Sequence, residues 1–375
     1  MEEVFAGFFA ADYRQFVMYA IGGALIWLAV KKEYEPMLLL PIGFGAILTN
    51  LPLGFAVGTA EDPGFLRVLL DAGIMNELFP VLIFIAVGAM IDFGPLFKNP
   101  MMIFFGAAAQ VGIFCTVLVA VAMGFDLRVA SAIGIIGAAD GPTSIFVARR
   151  FALEYLGPIT VSAYSYMALV PIIQPPVIRL LTTRKERTMR MEYREESVPR
   201  HLKILFPILV TMIAGFVVPI SVPLIGALMF GNLVRESGVL ERLSKAAQNE
   251  LASLVTLLLG ITIGSTMNAA TFLQWETLMI LGMGLAAFMF GTAGGVLFAK
   301  LVNLFLPRNR KINPMIGACG ISAFPMSARV IQRMAQEEEK GNIILMQAVS
   351  ANVSGQLGSV IAGGMILALV PLLAR

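Results

Sequence analysis

Apolar residues along this chain gather into blocks of membrane-spanning length. In the first half they cover about 16–30, 37–58, 79–97, 101–124 and 157–181, and in the second about 204–219, 222–236, 251–267, 276–300 and 343–373. A helix of ~20 apolar residues crosses the hydrocarbon layer of a bilayer. The pattern therefore predicts an all-α polytopic membrane protein. Two further stretches, near 134–150 and 312–331, are hydrophobic but interrupted by glycine and proline, and they read as broken or re-entrant segments. The stretch 58–79, with Glu61, Asp62, Pro63 and Asp71, is too polar to span and is expected to be a surface loop with an amphipathic turn. From Thr182 to Lys203 runs the one long hydrophilic stretch, carrying Arg184, Lys185, Arg187, Arg190, Arg194, Arg200 and Lys203. It divides the chain into a first membrane unit (1–181), a basic linker (182–203) and a second membrane unit (204–375).

The second unit repeats the layout of the first. Pro41-Ile42 to Asn50-Leu51 resembles Pro223-Leu224 to Asn232-Leu233, and Asn76-Glu77-Leu78 matches Asn249-Glu250-Leu251. Gly137-Ala138 answers Gly317-Ala318, and Ala163-Tyr164-Ser165 answers Ala348-Val349-Ser350. The matches occur in order and at similar offsets, as a duplication would leave them. With five spans and one re-entrant segment in each, the two repeats are expected to be inverted relative to each other. The positions of basic residues agree with that count. An outside N-terminus (Glu2, Glu3, Asp12) puts Lys31, Lys32, Lys98, the linker, Arg235, Arg242, Lys245 and the basic cluster at 308–311 inside. Making the Asp140 segment a full span would throw the linker outside. Arg149 and Arg150 fall outside, against the rule.

Composition sharpens this picture by exclusion. The chain is 58% hydrophobic and 14% charged, with a mean hydropathy of +0.83. The first apolar block lacks a small-residue cleavage site and reads as a retained span. Net charge is only +3, with the basic surplus in loops, so nucleic acid is not an expected partner. Cys115 and Cys319 have no metal-ligand spacing, and His201, the sole histidine, sits in the polar linker. A disulfide framework, a zinc site and a histidine relay are all disfavoured.

Chemistry concentrates in the broken segments. Asp140 stands between small residues in a hydrophobic stretch and is followed at once by Gly141 and Pro142. A carboxylate in hydrocarbon costs ~2.5–3.5 kcal/mol on insertion scales, so it persists where a partner or a function holds it. The glycine and proline free backbone carbonyls at the same depth. Together these make an all-oxygen site suited to sodium. The second broken segment contributes Asn313, Ser322, Ser327 and Arg329. Arg329 reads either as a fixed cation for an anionic substrate or, with Arg333 and Lys340 nearby, as an interfacial anchor. Tyr164 and Tyr166 lie two apart and point to different helix faces, so at most one reaches Asp140. Asn352, Ser354 and Gln356 offer further oxygens or simply pack helices. Asp92, at a span end before Gly94-Pro95, reads as interfacial.

Three stretches carry a family resemblance: G-A-A-D-G-P-T-S-I-F at 137–146, A-Y-S-Y-M-A-L-V-P-I-I-Q-P-P at 163–176 and N-P-M-I-G-A-C-G-I-S-A-F-P-M-S-A-R at 313–329. In order and over nearly the whole chain, they resemble the beta subunit of the sodium-pumping biotin-dependent decarboxylases acting on oxaloacetate, methylmalonyl-CoA or glutaconyl-CoA. Ala138 stands where that family more often has a second glycine. The resemblance implies a bacterial cell-membrane subunit that decarboxylates carboxybiotin and couples this to outward Na+ transport with uptake of a proton. The chain's compactness tilts the substrate toward an acyl-CoA. Implied partners are a carboxyltransferase alpha subunit, a biotin carrier, a small membrane subunit and further copies of this chain, in a trimer. Position by position, the resemblance implies Asp140 as a sodium ligand assisted by Asn313, Asn352 and Gly317. It implies Ser322 and Tyr166 at a second ion or proton site, and Arg329 against carboxybiotin. Without the resemblance, a sodium-coupled secondary transporter or Na+/H+ antiporter would satisfy the residues equally, and a non-catalytic membrane anchor is the third reading.

Overall fold

The computed structural model describes residues 6–59, 61–191, 198–307 and 310–374. Glu2, Glu3, Arg194 and Arg308, used above in the charge argument, lie outside the described residues. The described chain is helical throughout, without a named strand. Among the described residues, six helices are long and apolar enough to cross a membrane: Tyr13–Lys32, Pro100–Ala122, Arg200–Val217, Glu241–Ser265, Trp275–Phe305 and Leu345–Leu373. Two bent pairs raise the number to eight. Leu153–Ala168 and Val170–Leu181 meet at 71°, where Pro171 lacks the N–H needed to continue the ladder.

The other bent pair corrects the reading of 58–79 as a loop. Phe65–Met75 is helical and runs at 62° into Leu78–Met90. Its last turn, Leu70–Met75, is π-helical, and Glu77 follows in the left-handed region at φ 69°. The second unit has the same device, a π-helical turn at Ala247–Leu251 over the matching Asn249-Glu250-Leu251. Charge alone concealed the helix, because Arg67 and Asp71 pair at its surface.

Helices before and after the linker pack against each other. Pro36–Thr49 packs on Ala252–Ser265, and Leu78–Met90 packs on Val222–Ser237. Glycines allow this approach. A Cβ on Gly45 would lie 2.4 Å from the Ile261 carbonyl oxygen and one on Gly264 2.3 Å from that of Ile42. In the mirrored contact, Gly88 would meet Leu228 O at 1.9 Å and Gly231 would meet Ile85 O at 2.0 Å. Small residues at such crossings bring backbones into van der Waals contact where no hydrophobic force acts between helices. Buried asparagines lock both crossings. The Asn50 amide donates to Met267 O at 2.7 Å, and the Asn232 amide donates to Ile91 O at 2.8 Å.

The linker is tied down over its described part. Arg184 and Arg187 pair with Glu338, Arg190 with Glu339 and Glu186 with Lys300, and Arg179, just before the linker, pairs with Glu337. It thus rests on the end of the Met326–Glu338 helix, which begins at the second break. Arg149, the exception to the charge rule, is paired with Glu77, and Arg150 lies over the Phe146 ring, 5.2 Å from its centroid.

Candidate functional site

Both broken segments stop being helical for local reasons and then cross. In the first, the Leu127–Gly134 helix tightens into a 3-10 turn at Ile135–Ala138 and ends at Ala139, whose φ of 54° is left-handed. Asp140 is extended and caps the next helix, Gly141–Phe151, with Pro142 in the first turn where its missing N–H costs nothing. In the second, a 3-10 stretch at Pro314–Gly320 gives way to a bend and turn over 321–325 before Met326–Glu338. The Ser322 N–H donates to Ala138 O at 2.9 Å, so the breaks are joined backbone to backbone. The Leu345–Leu373 helix seals the crossing. Its Asn352 amide donates to Ile321 O at 2.7 Å and Cys319 O at 3.3 Å, while Gly355 O accepts from Ser322 Oγ at 3.0 Å.

Asp140 is buried beside this crossing, 3% exposed. Its Oδ2 accepts from Thr143 Oγ1 and from Ser359 Oγ, each at 2.7 Å, and Oδ1 takes a longer bond of 3.4 Å from the Thr143 N–H. No cation lies within salt-bridge distance among the described residues. The Ser359 hydrogen has an alternative acceptor in Gln356 O at 3.0 Å, so this hydroxyl can turn and offer lone pairs to an ion on the carboxylate. Two more polar atoms here are buried without a partner: Tyr164 Oη and Asn352 Oδ1. One carboxylate surrounded by neutral oxygens is a donor set for a hard monovalent cation.

A cavity of about 520 Å³ opens beside Asp140, lined among others by Tyr164, Ser322, Gln356, Arg329 and Glu35. Arg329, in the first turn after the second break, is exposed and forms no ion pair among the described residues. Glu35, between the first two long helices, is half-buried; burial pushes its carboxyl above the usual value against the opposing pull of Arg329.

The sequence-derived residues are therefore only partly assembled. Asp140, Ser322 and Arg329 share the cavity, and Asn352 stands directly behind the crossing. Tyr166 is not at the cavity: its hydroxyl donates to Leu281 O at 2.6 Å on the Trp275–Phe305 helix. Tyr164 lines the cavity instead, its ring so close that a Cβ on Gly141 would lie 2.2 Å from it. Asn313 is also elsewhere, its amide donating to Arg187 O and Met189 O of the linker at 2.9 Å. Gly317 backs onto Gly295, where a Cβ would lie 2.0 Å from the facing carbonyl oxygen. Thr143 and Ser359 escaped the sequence reading, although their signals were present. Thr143 sits three residues after a capping aspartate, and Asn352, Gln356 and Ser359 follow at i, i+4 and i+7 on one helix face.

Comparison with known proteins finds one family over nearly the whole chain. The family described as "Na+-transporting oxaloacetate decarboxylase beta subunit" matches residues 14–370. The chain is 48% identical over 365 residues to the glutaconyl-CoA decarboxylase subunit beta of Acidaminococcus fermentans, covering 97% of this chain and 96% of that one. It is 48% identical over 366 residues to the methylmalonyl-CoA decarboxylase subunit beta of Veillonella parvula, covering 97% and 95%. Against the oxaloacetate decarboxylase beta chain of Klebsiella pneumoniae it is 43% identical over 411 residues, covering 94% of each.

Proposed function

Given that the chain belongs to the family of Na+-transporting decarboxylase beta subunits, we propose that it removes a carboxyl group delivered to the Arg329 cavity and couples this to outward Na+ movement through Asp140. The observation that carries the proposal is the joining of the two breaks, which puts a hydroxyl-clasped carboxylate and an unpaired arginine in one cavity.

Biotin, carried by a partner subunit, supplies the labile carboxyl group. A cavity of about 520 Å³ with one arginine at its edge suits such a head group. The remaining steps belong to this chain. Arg329 grips the incoming carboxylate, because guanidinium offers paired donors and stays charged. The apolar walls strip water from it, which favours loss of neutral CO2 over the charged state. The reaction consumes one proton, and the free Tyr164 hydroxyl is positioned to relay it, the role sequence had given to Tyr166. Sodium and a proton compete for Asp140, since a neutralised carboxyl binds a cation poorly. That competition couples chemistry to transport.

The units would be inverted in a bacterial cell membrane, with the linker inside. Carboxyltransferase, biotin carrier and a small membrane subunit would complete the complex, with this chain trimeric. An acyl-CoA is the favoured substrate of the complex. The acyl-CoA relatives are 44 to 48% identical, against 43% for the oxaloacetate chain of Klebsiella pneumoniae.

The test is carboxybiotin decarboxylation by the reconstituted complex in proteoliposomes, wild type against Asp140→Asn. Wild-type activity should rise with sodium and drive sodium into inside-out vesicles, and both should collapse in the variant. Unchanged decarboxylation in Asp140→Asn would remove Asp140 from the mechanism. Sodium flux without decarboxylation, partners present, would make the chain a transporter.

A further inference from the structure

The Glu77–Arg149 ion pair has a counterpart in the second unit, and the two copies differ. The offset of 180 residues that carries Gly137-Ala138 onto Gly317-Ala318 also carries Ala148-Arg149 onto Ala328-Arg329. Glu77 and Glu250 correspond through Asn76-Glu77-Leu78 and Asn249-Glu250-Leu251. In the first unit the two charges are joined, and Gly141–Phe151 packs on Leu78–Met90, the helix that Glu77 introduces. Gly141 to Ala148 are buried without exception. In the second unit neither Glu250 nor Arg329 forms an ion pair among the described residues. There the cavity is lined both by Met326 and Arg329 and by Ala252, Ser253 and Thr256, where the first unit has a packed seam. One copy shut and one open is the arrangement of an alternating passage between inverted repeats. Asp140 caps the start of Gly141–Phe151, and Arg149 lies near its end, ~13 Å further along at 1.5 Å per residue. The pair therefore closes the far end of a seam that begins at the carboxylate. With side chains 13% and 34% exposed, its charges are partly shielded from water.

We propose that Glu77–Arg149 is the outer gate of the sodium path, a latch that holds Gly141–Phe151 on Leu78–Met90 while the Arg329 cavity is open and parts when sodium leaves Asp140 outward. The inference rests on the sodium-pump reading for the ion and its direction. The latch keeps the outer side shut until the chemistry at the inner cavity has run, so sodium does not cross without it. It also accounts for Arg149 standing on the expected outer face against the charge rule, because its place is set by Glu77.

The test uses the reconstituted complex in proteoliposomes, with two readouts: sodium moved per CO2 released from carboxybiotin, and passive sodium-22 efflux without substrate. Removing the latch biases the equilibrium toward the outer-open state. Passive efflux should rise about tenfold in Glu77→Gln and in Arg149→Gln, and sodium per CO2 should fall to about half or less. Decarboxylation, which takes place at the inner cavity, should stay within about twofold of wild type and so reports folding. Arg149→Lys keeps the charge and should stay coupled. Arg150→Gln removes the neighbouring charge, which is outside the pair, and should also stay coupled. Wild-type coupling and efflux in both glutamine variants would overturn the inference. Uncoupling in Arg150→Gln as strong as in Arg149→Gln would do so too, and loss of decarboxylation in both Glu77→Gln and Arg149→Gln would make the pair a structural tie. A wild-type complex that moves sodium but does not decarboxylate carboxybiotin would sink the decarboxylase reading, and passive efflux would still decide the gate.

Discussion

Ser359→Ala isolates one oxygen of the proposed ion site. In the structure the Ser359 hydroxyl donates to Asp140 Oδ2 at 2.7 Å and has Gln356 O within 3.0 Å as a second acceptor. Without sodium it stabilises the carboxylate; with sodium it turns toward Gln356 and becomes a ligand. The first interaction is a hydrogen bond to an ionised group, worth about 1.5–3 kcal/mol. Alanine removes it from the empty site and removes a ligand from the filled one, and the two losses partly offset. A net loss of about 1.4 kcal/mol in sodium binding corresponds to a factor of about ten. The half-saturating sodium concentration for decarboxylation should therefore rise roughly tenfold. The rate at saturating sodium and the KM for carboxybiotin should change little, since neither Arg329 nor Tyr164 is touched. Ser359→Thr keeps the hydroxyl and should stay near wild type. The assay is initial rate against sodium at saturating carboxybiotin. An unchanged half-saturation in a folded Ser359→Ala protein would refute the idea that this hydroxyl meets the ion.

Three further outcomes are expected. Tyr164→Phe removes a hydroxyl without a partner, so thermal stability should hold while kcat falls by about 10²-fold; Tyr166→Phe deletes the hydroxyl's bond to Leu281 O, which keeps its place in the helical ladder, and should cost about 1 kcal/mol of stability with kcat kept. Gly88→Ala drives a methyl into the Leu228 carbonyl, 1.9 Å away, and should destabilise by about 1–3 kcal/mol or more in detergent unfolding, whereas Gly282→Ala, with nothing within 4 Å, should be neutral. Burial alone would raise the Asp92 carboxyl, but the Gly94 N–H and Lys203 hold it below its ordinary value of 3.8. Its stabilising contribution is complete above the unfolded value and lost as pH falls through the lower folded one. Wild type and Asp92→Asn should keep a constant difference in unfolding temperature above about pH 5 and converge only in stronger acid.

Sequence made the helices legible because their apolar blocks are long, and the breaks because glycine and proline interrupt them next to a carboxylate. Asp140, Ser322 and Arg329, which share the cavity, were singled out because a charge or a break in a membrane segment is conspicuous. What stayed hidden was register. Whether Tyr164 or Tyr166 faces the cavity depends on the rotation of a helix that is buried on several sides, and apolar periodicity carries no signal for that. Asn313 and Gly317 stand in a segment dense with plausible ligands, yet one serves the linker and the other a helix crossing. The helix within 58–79 was missed because surface charge outweighed its apolar face.

The packing of helices before the linker on helices after it also bears on how the protein is made. While the first unit leaves the ribosome, the grooves around Gly45 and Gly88 have nothing to receive, because their occupants, Ala252–Ser265 and Val222–Ser237, are encoded later. The nascent chain must wait in the bilayer with its seams open, and truncated products should be substrates for quality control.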